Sequence, residues 1–420
     1  MTNRLYYLDP YLREFDATIE RVERGGAGMI VTLDRTAFYP MSGGQPFDTG
    51  VLGGFRVIDV SEMDDGSVAH VVDVSARPEL VDRRARDTSA GTSTPTPTPG
   101  SQVRGIIDWP RRFDHMQQHT GQHVLSAAFD KRFGVRTVSF HLGSDASTID
   151  LARDVPAADI ATAEKEANRI VWEDRPVSIR FAAADEAARL PLRKESARTG
   201  TLRLIDVDGF DLSACGGTHV SRTGAIGVIA VAGWERFKGG LRVEFVCGGR
   251  ALSRFRALRD TVAASVRLLS VLPAELPAAV ERMQAAAKDQ KRTIGALQDE
   301  LSAFRADTLA AAAECSAAGH AVLRAVDADA NGLKLLAMAI AARPGHVAVL
   351  TSVSRPALVV VARASDATHV SSQQIVAALV EQFGGRSGGK PELAQAGGLN
   401  ASAEEVLNAA RDALAASSRN

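Results

Sequence analysis

Two short motifs, far apart in the chain, constrain the fold more than any other feature, because their residue types bind metal ions. His119 and His123 are four residues apart on a predicted helix, so both imidazoles lie on one face. Cys215 and His219 flank Gly-Gly-Thr, a sequence that favours a tight turn. If all four bind one ion, helix and turn must meet, and the donors form a tetrahedral set suited to Zn²⁺. The alternative is a pair of core histidines and an inert buried cysteine.

The residue after His119 bears on the kind of zinc site. Zinc proteases with an HExxH motif need a glutamate there as general base, and this chain has Thr120. Four protein ligands also fill a tetrahedral site, whereas catalytic zinc usually leaves one position open for water. The sequence therefore disfavours a metalloprotease and predicts one Zn²⁺ per chain, which orients substrate or fixes the turn.

The bulk composition is that of an ordinary globular chain. Its 420 residues are enough for two to four domains, and its formal charge of −1 excludes a strongly basic protein. Any contact with nucleic acid must therefore come from local patches. The candidate patches are Arg104 with Arg111 and Arg112, Lys131 with Arg132 and Arg136, the stretch 189–203, and Arg236 with Lys238 and Arg242. Any single one of these patches is better explained as a solvated surface.

Cysteine content and the N-terminus predict the compartment. Three cysteines cannot form a disulfide framework for a chain of this length, which favours a reducing environment. The first residues carry charges where a signal peptide needs an apolar run, and no stretch approaches a membrane span. We expect a cytoplasmic protein without a membrane partner.

Changes in pattern divide the chain into five segments and predict an α+β fold class. Residues 1–85 alternate in hydrophobicity between Gly-Gly pairs, which predicts a small β-barrel or sandwich. Residues 86–101 are rich in Thr and Pro and cannot form a core. Residues 102–250 mix helical and strand patterns and hold the metal motifs, 251–315 are helical, and 316–420 form an α/β domain.

Periodicity places the individual elements. Apolar residues at helical spacing predict a helix from Arg112 to Phe133, ended by Gly134. Further helices are predicted at 156–172, 333–342, 373–383 and 402–416. Strands are predicted at 138–142, 148–151, 224–232, 241–247, 347–350 and 357–362, and a glycine-rich loop at 384–398.

The helical segment contains a heptad seam. Its apolar positions step by three and four residues, with one polar interruption, and are Val280, Met283, Ala287, Gln290, Ile294, Leu297, Leu301 and Phe304. Three heptads fit an intrachain hairpin and a homodimer interface equally well. The C-terminal domain is the other candidate for dimerisation or for contact with an RNA body, through Arg386 and Lys390.

Five segments together resemble one protein family. HTGQH (119–123), SACGGTHV (213–220), FYPMSGGQPFDTG (38–50) and ERFKGGLRVEFVCGGRAL (235–252) are similar to the editing region of alanyl-tRNA synthetase and to the free-standing AlaX proteins. GGRSGGKPELAQAGG (384–398) resembles the loop of the DHH-associated domain found in the synthetase and in long AlaX proteins. The chain thus resembles a long-form AlaX protein, which we do not expect to charge tRNA.

The resemblance implies an activity and a partner. It implies hydrolysis of the ester that joins serine, with glycine as a second candidate, to tRNA(Ala), with Zn²⁺ bound by the four residues above. It further suggests that Gly43, Gly44 and Gln45 approach the terminal adenosine, where glycines admit close backbone contact. A plain β-turn is the alternative for this loop. A non-catalytic tRNA-binding protein is the alternative function, and a phosphoesterase is disfavoured because the chain has no DHH triplet.

This chain differs from the family pattern at one position, and the difference affects which residues we predict to be catalytic. The synthetase tends to have a small hydroxyl residue before the second zinc histidine, where this chain has Gln122. We therefore predict that water and the serine hydroxyl are handled by Gln45, Gln122 and Ser139. The predicted substrate contacts are Gly43, Gly44, Thr120, His141 and Arg242.

Overall fold

The computed structural model describes residues 1–25, 28–75, 97–193, 200–316 and 318–417. The chain forms two compact units, Met1–Ala264 and Ser265–Asn420. Most of the predicted Thr/Pro-rich insertion, residues 86–96, lies outside the described residues, as do residues 194–199 of one predicted basic patch.

The first unit begins with a closed six-stranded barrel in the order β2-β3-β7-β6-β5-β8, as the alternating pattern predicted. The strands up to this point are β1 Asn3–Arg4, β2 Glu14–Gly25, β3 Gly28–Leu33, β4 Arg35–Thr36, β5 Gly50–Leu52, β6 Phe55–Glu62, β7 Val68–Asp73 and β8 Gln102–Ile107. Alternate residues of β2, namely Phe15, Ala17 and Ile19, fill the interior. The predicted boundary at residue 85 cuts through this barrel, because β8 closes it by pairing with β2 and β5.

The rest of the first unit packs helices against two antiparallel sheets, β14-β15-β10-β9 and β11-β12-β13. Its strands are β9 Thr137–Leu142, β10 Ser147–Leu151, β11 Val177–Ala182, β12 Leu202–Val207, β13 Asp211–Ala214, β14 Ile229–Phe237 and β15 Gly240–Cys247. Its helices are α1 Trp109–Phe133, α2 Ala157–Trp172, α3 Ala184–Ala187 and the start of α4 Gly248–Leu269. The strand predicted at 224–232 begins only at Ile229, since Thr223–Ile226 forms a 3-10 turn.

Helix α1 begins and ends where its sequence dictates. The Asp108 carboxylate accepts the N–H of Arg111 as an N-cap, and Pro110 occupies the first turn. Gly134 ends the helix with a φ of 62°, a left-handed conformation that glycine adopts at low cost. The predicted helix is thereby confirmed, with three further residues at its start.

A buried ion pair attaches α1 to the loop that follows β4. The Arg112 guanidinium and the Asp48 carboxylate are both fully buried, and Nε of Arg112 lies 3.0 Å from each carboxylate oxygen. Arg112 also donates to the carbonyl oxygens of Pro10 and Ala37. Arg112 is therefore a structural cross-link and not part of a basic surface patch. The pair brings the loop of residues 38–50 against the helix that carries the two histidines.

The second unit is built on a mixed sheet in the order β16-β17-β18-β19-β21-β20. Its elements are α5 Leu276–Ala311, β16 Glu314–Ser316, β17 Gly319–Val326, α6 Ala330–Ala341, β18 His346–Ser352, β19 Ala357–Arg363, α7 Ser372–Phe383, β20 Arg386–Lys390, β21 Leu393–Leu399 and α8 Ala403–Ser417. Successive side chains of β18 point to opposite faces of the sheet and so pack into two different hydrophobic clusters. Val347 and Val349 belong to one cluster, and Ala348 and Leu350 belong to the other.

The glycine-rich segment is a strand pair and not the predicted loop. β20 and β21 pair antiparallel, with Arg386 opposite Gly397 and Lys390 opposite Leu393. A Cβ on Gly389 would lie 2.4 Å from the Cα of Ala394, so glycine here permits the close approach of two strands. Among the described residues, no single helix is long and apolar enough to cross a membrane, and α4 with the following helix passes that test only as a bent pair.

Candidate metal centre and adjoining cavity

The structure brings the four predicted ligands together. One ligand atom from each of His119, His123, Cys215 and His219 lies within 4.8 Å of the others, and all but the partly exposed Cys215 are buried. Sγ of Cys215 is 3.3 Å from Nε2 of His119 and 3.4 Å from Nε2 of His219. Helix α1 supplies two imidazoles and the turn after β13 supplies the other two donors.

Each histidine is oriented by a polar partner on its far nitrogen. Nδ1 of His119 is 2.8 Å from Oε1 of Gln45, and Nδ1 of His123 is 3.0 Å from the Asp211 carboxylate. Nδ1 of His219 donates to the Thr120 hydroxyl, whose own proton goes to the carbonyl oxygen of Met116. All three rings therefore present Nε2 to a common centre, which is the usual second layer of a metal site.

In the turn that carries Cys215, position 217 requires glycine because a larger side chain would clash with its neighbours. A Cβ on Gly217 would lie 2.1 Å from Cε1 of His119 and 2.9 Å from Oε1 of Gln45. The Gln45 amide holds this turn, since Nε2 donates to the Thr218 hydroxyl and Oε1 accepts the Thr218 N–H. The loop from the barrel, the helix and the turn thus meet at one glutamine side chain.

The protonation states of the cluster residues favour the binding of a cation. Burial opposes ionisation of the Cys215 thiol, yet His119 and His219 hold its pKa well below its usual range. Burial and His119 lower the pKa of His219 to about 3, which keeps that ring neutral. Burial alone would also lower the pKa of His123, but the bond to Asp211 raises it to about 9. A metal ion that binds His123 must displace this proton.

A cavity of about 400 Å³ adjoins the cluster. His123 and Cys215 form one wall, and Phe140 and Phe181 make another wall apolar. Two residues of the lining each carry a buried polar atom that has no partner among the described residues. These atoms are Oε1 of Gln122 and Nη2 of Arg203, an acceptor and a donor respectively. Unpaired buried polar atoms are costly, so their presence on two residues of one lining indicates a ligand that pairs with them.

Besides the metal ligands, three of the predicted catalytic and substrate-contacting residues line this cavity, namely Gly43, Gln122 and Ser139. Nε2 of Gln122 donates to the Ser126 hydroxyl, which holds the amide in place. The Ser139 hydroxyl donates to the Asp150 carboxylate at 2.5 Å. Gly44 does not line the cavity, but its φ of 80° and its position against the Phe140 ring require glycine.

The other predicted site residues lie elsewhere. Gln45 and Thr120 are fully buried behind the histidines, where their polar atoms are already bonded within the protein, so neither is placed to contact substrate. Arg242 forms two bonds to Asp150 and stacks on the Phe237 ring. His141 is exposed on β9, and the described residues that line the cavity do not include it.

Sequence reasoning missed the residues contributed by β12 and β13. Asp211, which orients His123, and Arg203, which lines the cavity, both come from this strand pair. The sequence did contain a signal for this strand pair, because Leu202–Val207 is followed by Asp208-Gly209, a dipeptide typical of hairpin turns. Arg193 also lines the cavity and pairs with Asp211.

A known domain model matches the strand pair and the chain that follows it, into β15. Residues 202–244 match the threonyl and alanyl tRNA synthetase second additional domain. This range contains both Arg203 and the turn with Cys215 and His219. The match therefore falls on the half of the cluster that helix α1 does not supply.

Full-length relatives extend the match to the whole chain. The alanine–tRNA ligase of Halobacterium salinarum is 36% identical to this chain, and that of Methanothrix thermoacetophila is 33% identical, each over 98% of this chain. This chain spans less than half of their length, 44% of the first ligase and 45% of the second. The alanyl-tRNA editing protein AlaX-L of Pyrococcus horikoshii is 30% identical over 99% of this chain and 98% of its own length. This chain therefore belongs to the AlaX-L family of alanyl-tRNA editing proteins.

Proposed function

We propose that this protein hydrolyses the ester of Ser-tRNA(Ala), with Gly-tRNA(Ala) as a second substrate. The observation that carries the proposal is the cavity beside the four-donor cluster, whose lining includes Gln122 with a buried acceptor that no described residue pairs with. The relationship to AlaX-L, a protein named for alanyl-tRNA editing, supports tRNA(Ala) as the partner.

Zn²⁺ is the ion that we propose for the cluster. Three imidazoles and one thiolate match its preference for nitrogen and sulfur donors in tetrahedral geometry. The Gln45, Thr120 and Asp211 side chains fit this role, because they fix the tautomers of the three rings. When bound, Zn²⁺ supplies a fixed positive centre at the edge of the cavity.

The Gln122 amide is the proposed discriminator between serine and alanine. Its Oε1 accepts the serine hydroxyl, whereas the alanine ester would leave this buried acceptor unpaired. A site built around a polar partner rejects an analogue that lacks it far more strongly than a difference in size alone. Glycine also lacks this hydroxyl, so its acceptance as a second substrate rests on its small size alone, which discriminates more weakly.

Ser139 is the proposed holder of the attacking water. Its proton is committed to Asp150, so its oxygen is left to accept a hydrogen bond from water in the cavity. The bonds from Arg242 hold the pKa of Asp150 below its usual range, although burial opposes this. Asp150 therefore stays a carboxylate, and Ser139 acts as an acceptor and not as a nucleophile. Aminoacyl esters are activated, so positioning supplies much of the required catalysis.

Deacylation of Ser-tRNA(Ala) beside Ala-tRNA(Ala) tests the proposal, with the wild type and Cys215→Ala. We expect rapid loss of the serine ester with the wild type and a severe reduction with the variant, which should also lose zinc. Failure of the wild type to clear the serine ester while it binds tRNA(Ala) would support the non-catalytic alternative. A variant with full metal content and full activity would refute the metal assignment.

We also propose that α5 forms a homodimer face. Its heptad seam leaves five large apolar side chains 48–70% exposed, an arrangement that favours pairing with a second helix. They are Met283, Ile294, Leu297, Leu301 and Phe304. Sedimentation should show a dimer that Leu297→Glu dissociates, while Leu258→Glu, an equally exposed leucine outside the seam, leaves it intact. A monomeric wild type at micromolar concentration would contradict this.

A further inference from the structure

Arg203 is the one cation of the cavity whose charge is not paired with a carboxylate among the described residues. Only 8% of the residue is exposed, and it sits on β12 at the edge of the cavity. Arg193, its neighbour in the lining, is committed to Asp211. The Cys215 thiolate interacts with this charge but no carboxylate pairs with it, and burying a guanidinium in this way is costly, so its retention here indicates a role for the charge.

The hydrogen bonds of Arg203 fix the direction of its free end. Nε donates to the carbonyl oxygen of Tyr7 at 3.0 Å, and Nη1 donates to the carbonyl oxygens of Cys215 and Gly217 at 2.8 and 2.9 Å. These three bonds lock a planar group against the turn that carries the metal ligand. The guanidinium carbon lies 5.4 Å from the centre of the Tyr7 ring, and Nη2, with two N–H groups, has no hydrogen-bond partner among the described residues.

We propose that Nη2 of Arg203 is the donor that stabilises the ester carbonyl oxygen as negative charge develops on it during hydrolysis. This inference rests on the proposed function. A single Nη2 suits one carbonyl oxygen, and the apolar Phe140 and Leu202 in the same lining lower the local polarity, which strengthens such an interaction. The substrate α-ammonium is repelled by the same charge, which sets the polarity of the aminoacyl group in the cavity.

The chemistry balances with one water molecule. The water oxygen forms a bond to the carbonyl carbon, and the π electron pair moves to the carbonyl oxygen beside Nη2. The pair then returns, the bond to the ribose oxygen breaks, and that oxygen takes one proton of the water. The products are the free amino acid carboxylate, one released proton and tRNA with its terminal hydroxyl restored. Arg203 gains and loses no proton in this sequence.

Arg203→Gln, Arg203→Lys and Arg203→Ala test the inference through the rate per bound zinc. Because the charge develops only in the transition state, we expect Arg203→Gln to lower kcat by about 10²- to 10³-fold with KM nearly unchanged. Arg203→Lys should lose less, and added guanidinium should raise the kcat of Arg203→Ala at constant zinc content. Arg180→Gln is the matched control, an exposed arginine on the neighbouring β11.

Two outcomes would overturn the inference while leaving the proposed function standing. One is an unchanged kcat per bound zinc in the Arg203 variants. The other is loss of zinc from every variant, Arg203→Lys included, which would assign Arg203 to the scaffold of the turn. A wild type that fails to hydrolyse the serine ester would instead refute the proposed function, and the inference with it.

Discussion

At the scale of single residues, the hydrogen bonds of Gln45 assign its side chain to the support of the metal ligands and not to catalysis. The amide bridges Nδ1 of His119 and both polar groups of Thr218, and no atom of Gln45 is exposed. Its motif resembles a loop expected to approach substrate, yet its side chain is used to orient a ligand. The glycines beside it are what lets the loop reach the cavity edge.

Gln45→Ala should therefore lower zinc affinity and not simply activity. Loss of a partner on the far nitrogen of a ligating histidine typically costs about 10- to 100-fold in affinity. Competition with a chromophoric chelator measures it. Gln118→Ala removes an equally buried glutamine that bonds only Cys247 and Asp114, so it should leave zinc affinity unchanged. Equal zinc affinities for Gln45→Ala and the wild type would contradict this role.

The residue types of the ligands could be predicted from sequence, but the surroundings could not. Spacing alone placed His119 and His123 on one helical face. Nothing local distinguishes Gln45 as a ligand's partner, or Arg112 as a buried cross-link, because both depend on contacts made by distant segments. Arg203 was read only as part of a basic stretch for the same reason.

At the scale of elements, the turn after β13 is the tightest point of the site. A Cβ on Gly217 would overlap the His119 ring, so Gly217→Ala should displace the ring and weaken zinc binding by at least about tenfold. Metal content after dialysis against a weak chelator measures the loss. Gly233→Ala, where a Cβ meets nothing within 4 Å, should retain full metal. Full zinc content in Gly217→Ala would contradict this prediction, because it would show that the turn can shift to accommodate the added methyl group.

The barrel contains a buried histidine that makes its stability depend on pH. His70 is bonded to Thr36 and to the carbonyl oxygen of Val31, and burial lowers its pKa to about 4. Since the unfolded chain binds this proton near pH 6.5, the free energy of unfolding should fall by up to about 3 kcal/mol as the pH drops from 6.5 to 4.

Denaturant unfolding of the barrel at several pH values measures this dependence. His70→Gln should flatten it over pH 4–6.5, although the variant is less stable above that range. His369→Gln, which replaces an exposed histidine, should keep the wild-type slope. A wild-type slope in His70→Gln would assign the pH dependence to other groups.

Element types were more predictable than sheet membership. The helices and the buried strands of the second unit follow from periodicity, and the barrel follows from alternation. β8 could not be assigned to the barrel, because its partners lie on the other side of the Thr/Pro-rich insertion. β20 reads as a loop from its glycines, which in fact serve close strand pairing.

At the scale of the whole molecule, contact with tRNA must come from local charge. Arg386 and Lys390 are exposed on β20 and form no ion pair with another described residue. If both contact phosphates, changing both to alanine should weaken tRNA(Ala) binding and reduce the slope of log affinity against log salt by about 1 to 2. Titrations at several salt concentrations measure this slope.

The control for this prediction is Arg411→Ala, since Arg411 is an exposed arginine of the same unit that pairs with Glu314. It should leave the salt dependence at the wild-type value. An unchanged slope in the double variant would place the tRNA contacts outside β20. The formal charge of −1 gives the chain no general attraction to compensate for a lost local contact.

In the proposed function, the cavity beside the four ligands recognises a serine ester and rejects an alanine ester. The most direct measurement follows a mixture of Ser-tRNA(Ala) and Ala-tRNA(Ala) with zinc-loaded wild type and with Gln122→Leu. We expect the wild type to clear the serine ester while the alanine ester persists, and Gln122→Leu to lose most of this difference. Equal rates for the two esters with the wild type, or persistence of both, would contradict it.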